Sequence, residues 1–111
     1  MDRVNEYRAR VQELLKRYVD DRPRFEEVET QLIADVEHDH YQLVNLGWVN
    51  NRRIYGCVLH IDIKDDKVWI QHNGTERLVA EELVEHGVPP EHIILGFQSP
   101  YKRQFTGFGV N

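Results

Sequence analysis

Between residues 2 and 20, Val4, Tyr7, Val11, Leu14, Leu15 and Tyr18 recur at three- and four-residue intervals. That spacing lines one side of an amphipathic helix. Glu13 and Arg17 stand four apart in the favourable order and are expected to pair on its polar side. Asp20-Asp21-Arg22-Pro23 is expected to end the helix, because the residue before a proline avoids helical backbone angles.

The period then changes from helical to two. Val28, Thr30, Leu32, Ala34 and Val36 alternate with Glu29, Gln31, Asp35 and Glu37, with Ile33 out of phase, which predicts a half-buried strand. His38-Asp39-His40 reads as a polar turn. The second strand, Tyr41–Val49, has apolar residues on both faces: Leu43 and Val49 on one, Val44, Leu46 and Trp48 on the other. After a turn at Asn50-Asn51-Arg52-Arg53, the third strand places Tyr55, Cys57, Leu59, Ile61 and Ile63 on one face, and Val58, His60, Asp62 and Lys64 on the other. Asp65-Asp66 turns the chain into a fourth strand, Val68–His72, closed by Asn73-Gly74. Short turns between consecutive strands imply an antiparallel meander.

A second helix is predicted over about 76–86, with Leu78, Val79, Leu83 and Val84 inward, Thr75 as N-cap and Gly87 at the left-handed C-terminal position. Val88-Pro89-Pro90 stops it. Residues 91–97 read as a helical turn followed by an extended Ile94–Phe97. Ser99-Pro100-Tyr101 starts a short helix, about 100–106, with proline in its first turn. The expected fold is therefore α+β: an N-terminal helix, a four-stranded antiparallel meander, and C-terminal helices packed on one sheet face.

The chain has 111 residues, which is one domain spanning 1–111 and long enough to bury roughly two-thirds of its unfolded surface. It is 41% hydrophobic and 30% charged, an ordinary globular balance. No apolar run approaches a membrane span, and the N-terminus lacks a signal-peptide core, so a cytoplasmic location is expected. A single cysteine excludes an internal disulfide framework and a cysteine-rich zinc site. Net charge is −5, split into +2 over residues 1–24 and −7 over the rest. Direct nucleic-acid binding is disfavoured by that sign, although Arg3, Arg8, Arg10, Lys16, Arg17, Arg22 and Arg24 form a mixed-charge N-terminal stripe.

No constellation for catalysis, cofactor or metal binding stands out. His38 and His40 would share a strand face, but a metal site needs three or four convergent ligands, and the pattern names no others. Asp39 with Asp62 and Lys64 matches the acid and acid-x-lysine arrangement of some magnesium nucleases, a pattern common by chance and equally explained as a strand's solvent face. Cys57, in phase with Leu59 and Ile61, is expected to be buried and inert. There is no glycine-rich phosphate loop. Aromatic placement says more. Two modest helices cover one sheet face, so Trp48 and Trp69, with Tyr101, Lys102, Arg103 and Phe105, are the candidate partner or oligomer surface. Phe97, Tyr101, Phe105 and Phe108 could instead fold back to cover the open face.

The stretch Glu82-Leu83-Val84-Glu85-His86-Gly87-Val88-Pro89-Pro90-Glu91-His92-Ile93-Ile94-Leu95-Gly96-Phe97, followed by Pro100-Tyr101-Lys102-Arg103-Gln104-Phe105-Thr106, resembles the XisI family of small cyanobacterial proteins. So do Asp35–Leu43 and Ile54–Lys64 upstream, and the likeness spans about residues 1–108. The resemblance implies a controlling factor for programmed excision of the fdxN DNA element, the excision itself belonging to a separate recombinase. It implies a XisH-like, nuclease-resembling partner and carries over no catalytic residues. A non-enzymatic accessory protein that acts through protein contacts, and self-associates as a homo-oligomer when alone, is the expected function. The alternatives are an antitoxin-like inhibitor of the XisH-type nuclease and a direct DNA-binding excision factor.

Overall fold

A computed structural model describes residues 3–22 and 27–111. The elements run α1 (Arg3–Asp20), β1 (Val28–Asp35), β2 (His40–Val49), β3 (Arg52–Lys64), β4 (Lys67–Asn73), α2 (Val79–Glu85), a 3-10 turn (Pro90–His92), β5 (Ile93–Leu95) and α3 (Pro100–Arg103). The sheet has five strands in the order β1-β2-β3-β4-β5. The first four form the expected antiparallel meander. β5 adds a parallel edge, pairing Ile93–Leu95 with Val68–Ile70, so the sheet is mixed rather than four-stranded. The extended reading of Ile94–Phe97 thus holds in part. α2 and the proline turn act as the crossover that a parallel neighbour requires. Gly109 bridges to Ile94, where any side chain at Gly109 would collide with the Ile94 Cδ1 methyl and the Glu91 carbonyl.

The helical stripe behaves as its spacing predicts: Tyr7, Val11, Leu14, Leu15 and Tyr18 are all buried. They meet Tyr41, Leu43, Leu59, Ile61, Ile63, Val68 and Ile70 from the sheet, and Val79, Ala80, Leu83 and Val88 from α2 and its exit. Glu13 and Arg17 do not pair. Glu13 accepts from Arg10 at 3.2 Å, and Arg17 reaches the His86 ring at 3.2 Å. α2 begins at Val79, three residues later than predicted. Thr75 does not cap it; its Oγ1 accepts from the Arg77 amide at 3.1 Å and donates to Asn73 Oδ1 at 2.6 Å, which knits the preceding turn instead. The C-terminal end does follow prediction. Gly87 has φ +99°, and the amides of Gly87 and Val88 donate to the carbonyls of Val84 and Leu83, a Schellman closure with Val88 and Leu83 both in the core.

Asn50-Asn51 and Asp65-Asp66 each place two residues at positive φ, the two-residue turn that matches strand twist. β1 stops at Asp35, and residues 36–39 form the next turn, so Val36 leaves the strand and is exposed. Ser99 caps α3 through the Lys102 amide, and Pro100 occupies its first position as expected, but α3 is one turn rather than two.

One feature reorders the sheet faces. Leu43 pairs with Leu59, whereas Val44 pairs with Cys57, so Val58 is an extra residue in β3. Beyond this bulge the alternation flips. Tyr55 and Cys57 therefore lie opposite to Leu59, Ile61 and Ile63, and Cys57 is exposed rather than buried. α1 and α2 cover a single sheet face. The far end of the β2–β3 hairpin extends past them. The radius of gyration, 14.7 Å, accordingly exceeds the roughly 13 Å typical for this length.

Candidate functional site on the open sheet face

The open face carries, along β2, His40, Gln42, Val44, Leu46 and Trp48, and along β3, Arg53, Tyr55, Cys57, His60, Asp62 and Lys64. β4 adds Trp69, opposite Asp62. Exposed aromatic groups concentrate at the hairpin end, where Trp48 is 53% exposed and Tyr55 72%; Val49 is exposed at the hairpin tip on the other face, and Ile33 is exposed on β1 beside Gln42. The Arg53 guanidinium stands 5.5 Å from the Trp48 ring, a cross-strand pair that leaves most of the indole accessible.

The predicted surface residues divide into two patches. Trp48 belongs to the hairpin end. Tyr101 and Phe105 pack edge-to-face at 5.4 Å on α3 and its exit, both about 70% exposed, beside exposed Lys102. Trp69 connects to this second patch but is 8% exposed. Its indole N–H donates to the Lys64 carbonyl at 3.2 Å, while Lys64 Nζ and the Arg103 guanidinium stand over the ring at 4.6 and 5.1 Å. The α3 segment thus reaches the open face, not the helix-covered one. Of the four aromatics that could have closed that face, Phe108 alone packs against the core, while Phe97, Tyr101 and Phe105 remain exposed. Strand rise separates Trp48 from His40 by about 25 Å, so the two patches sit at opposite ends of the face.

Between them lies a polar cluster. His40 Nδ1 and His60 Nε2 both contact Asp62 Oδ1, at 2.9 and 2.8 Å, and Gln71 Nε2 donates to Asp62 Oδ2 at 3.2 Å. Gln42 approaches His60 Nδ1 at 3.4 Å. The Asp62 bond raises the His40 pKa above the ordinary imidazole value. Burial pushes the Asp62 carboxyl up, but the bonds from His40 and His60 outweigh it and hold the group below the usual range. His60 was not singled out by sequence. Its signal is the i, i+2 spacing to Asp62; the missing piece is the register that brings His40 across.

The other predicted constellations separate. His38 turns back on Asp35, its amide and Nδ1 meeting the carboxylate at 3.1 and 2.9 Å. Asp39 is gripped by Arg8 through bonds of 2.7 and 2.9 Å and by the Tyr41 hydroxyl at 3.1 Å. It does not converge with Asp62, so the nuclease arrangement is not assembled. In the basic stripe, Arg8 binds Asp39, Arg10 pairs with Glu6 and Glu13, Arg3 lies 4.0 Å from Asp66, and Arg22 donates to Asn45 at 2.9 Å. Arg24 lies outside the described residues. No helix among the described residues is long and apolar enough to cross a membrane.

A helix-backed, five-stranded mixed sheet with one face open defines a class of small α+β protein, and the comparisons place the chain within it. The XisI protein family matches residues 1–110, and the chain belongs to that family. The crystal structure of a XisI-like protein from Anabaena variabilis ATCC 29413 superposes with a TM-score of 0.91 at 52% identity, covering 97% of this chain and 99% of that one. The fdxN element excision controlling factor XisI from the same organism superposes with a TM-score of 0.86 at 32% identity, covering 99% and 100%. No curated protein is significantly similar to the chain.

Proposed function

We propose that this protein is a non-enzymatic controlling factor for excision of a DNA element, and that it acts in the cytoplasm through protein contacts with a XisH-like partner. The observation that carries the reading is the one-sided covering of the sheet and its projecting β2–β3 hairpin, which leave Trp48 and Tyr55 exposed on the open face and Val49 exposed at the hairpin tip. Clustered aromatics with an adjacent arginine are the chemistry of interface centres. The name of the Anabaena relative supports the excision role. Net charge of −5 complements a basic, DNA-handling partner better than it does DNA. Of the N-terminal cations, Arg3, Arg8, Arg10 and Arg22 already have acidic or amide partners, which weakens the direct DNA-binding alternative. Without the partner, the same apolar face pairs two copies.

The test is co-expression with a XisH-like protein and size-exclusion chromatography with mass detection, alone and together, with and without DNA. A co-eluting complex that Trp48→Ala or Tyr55→Ala disrupts supports the reading. Suppression of nuclease activity within that complex makes the protein an antitoxin-like inhibitor. No complex, together with salt-sensitive DNA binding by this chain alone, overturns the reading in favour of the direct excision factor.

A further inference from the structure

The polar cluster at the centre of the open face has a geometry that partner contacts do not explain. We propose that His40, His60 and Asp62 form a binding site for one divalent first-row transition ion, with zinc the ion its ligand set suits. Their ligand atoms lie within 4.8 Å of one another. Around a tetrahedral zinc with bonds near 2.0–2.1 Å, ligand atoms stand about 3.3 Å apart. The two imidazole nitrogens stand 2.9 and 2.8 Å from Asp62 Oδ1, separations that open by a few tenths of an ångström to admit an ion, while the nitrogens themselves, within 4.8 Å of each other, come to the same spacing by side-chain rotation. That backbone is stiff. His40 and Asp62 are a register pair between β2 and β3, and His60 is two residues from Asp62 on the same face. Rigid strands hold such constellations better than loops do.

The surroundings suit an ion. Among the described residues, no lysine or arginine forms an ion pair with Asp62; its partners are the two imidazoles and the Gln71 amide. The nearby cations, Lys64 and Arg103, are placed over the Trp69 ring instead. With Nε2 of His60 on a metal, its Nδ1 carries the proton and needs an acceptor. Gln42 is already at that nitrogen, and a half-turn of its amide presents the carbonyl. Gln71 orients the second Asp62 oxygen in the same way. Three protein ligands leave a fourth position for water. Two imidazoles favour zinc, cobalt, nickel or copper over magnesium and calcium, which take oxygen ligands. His38 and Asp39, engaged with Asp35 and Arg8, are not ligands.

The test uses the full, untagged chain stripped with chelator, titrated with zinc in a calorimeter and with cobalt in the visible spectrum. The expected result is one ion per chain, with cobalt bands of low-coordinate intensity. His60→Ala and Asp62→Asn should weaken binding by more than about 100-fold, beyond the 10–100-fold typical of supporting residues, and Gln71→Leu by about 10-fold. His38→Ala should leave it unchanged. Circular dichroism checks each variant, and if Asp62→Asn fails to fold, His40→Ala, whose ring is 57% exposed, decides the question. Zinc binding weaker than about 1 mM, or binding that His60→Ala and His40→Ala leave intact, overturns the proposal. Because the measurement needs no partner, its outcome is independent of the excision reading.

Discussion

The two faces of one sheet show what helix cover does. On the covered face, alternate residues of β2, β3 and β4 meet α1 and α2, and Leu59, Ile61 and Tyr41 have no exposure. On the open face the same strands carry Trp48 and Tyr55 half or more exposed, then a cluster of histidine, aspartate and glutamine. Equal strand propensity thus serves two ends. One face holds the fold together by removing apolar area from water. The other is available for recognition, because its exposed side chains, unlike the buried Val44 and Trp69, do little for the fold.

Substitutions can break this contrast. Leu59→Ala or Leu83→Ala should cost about 2–5 kcal/mol, read as a shift in the denaturant midpoint, since each leaves a cavity in a closed core. If Trp48→Ala destabilises as much, the open face is structural and the contrast fails. Arg8→Ala should cost less, about 1–3 kcal/mol, by leaving the largely buried Asp39 carboxylate without its paired donors.

Acid sharpens the comparison without changing volume. Burial pushes the Glu82 carboxyl up, but the bonds from Arg77 and Tyr18 overcome this and hold it below the ordinary value of 4.5. A depressed folded pKa contributes stability that is complete above the unfolded value and is lost as pH falls through the folded one. Wild-type stability should therefore decline below about pH 5, and Glu82→Gln should lower it at neutral pH while flattening that decline. Equal slopes for both proteins in urea titrations from neutral to acid pH would remove Glu82 from the account. On the open face, Trp48→Ala and Tyr55→Ser should change stability by less than about 1 kcal/mol yet weaken partner binding most. Smallest of all, Cys57→Ser should be nearly neutral, while the native thiol should react with a maleimide at a rate close to that of the unfolded chain; full protection would return Cys57 to the core.

Much of this was legible in the order of residues. The α1 stripe, the four meander strands, the Gly87 helix stop and the Ser99-Pro100 start follow from local periodicity and backbone preference. Those forces act over a few residues and are written in adjacent positions. α2 started later than expected because Asn73 and Thr75 bond to each other and to the next turn, a competition that propensity alone does not weigh. The β5 edge was readable as extended chain but not as a parallel partner of β4, which depends on where the crossover returns.

The candidate sites were less legible, and the bulge at Val58 shows why. The Asn50-Asn51 turn pairs Val49 with Arg52, and an unbroken ladder from there would set His40 against Ile61. The apolar pattern requires another register, with Tyr41 against Ile61 and Leu43 against Leu59, so that all four face α1. One extra residue reconciles the two. Its by-products are the exposed Cys57 and the meeting of His40 with Asp62. By itself the sequence determined which residues are helical, which are extended and which are apolar, because neighbours decide those properties. Only the tertiary structure decided which sheet face each residue joins and which histidine meets which carboxylate, because register is settled by burying the whole sheet against α1 at once.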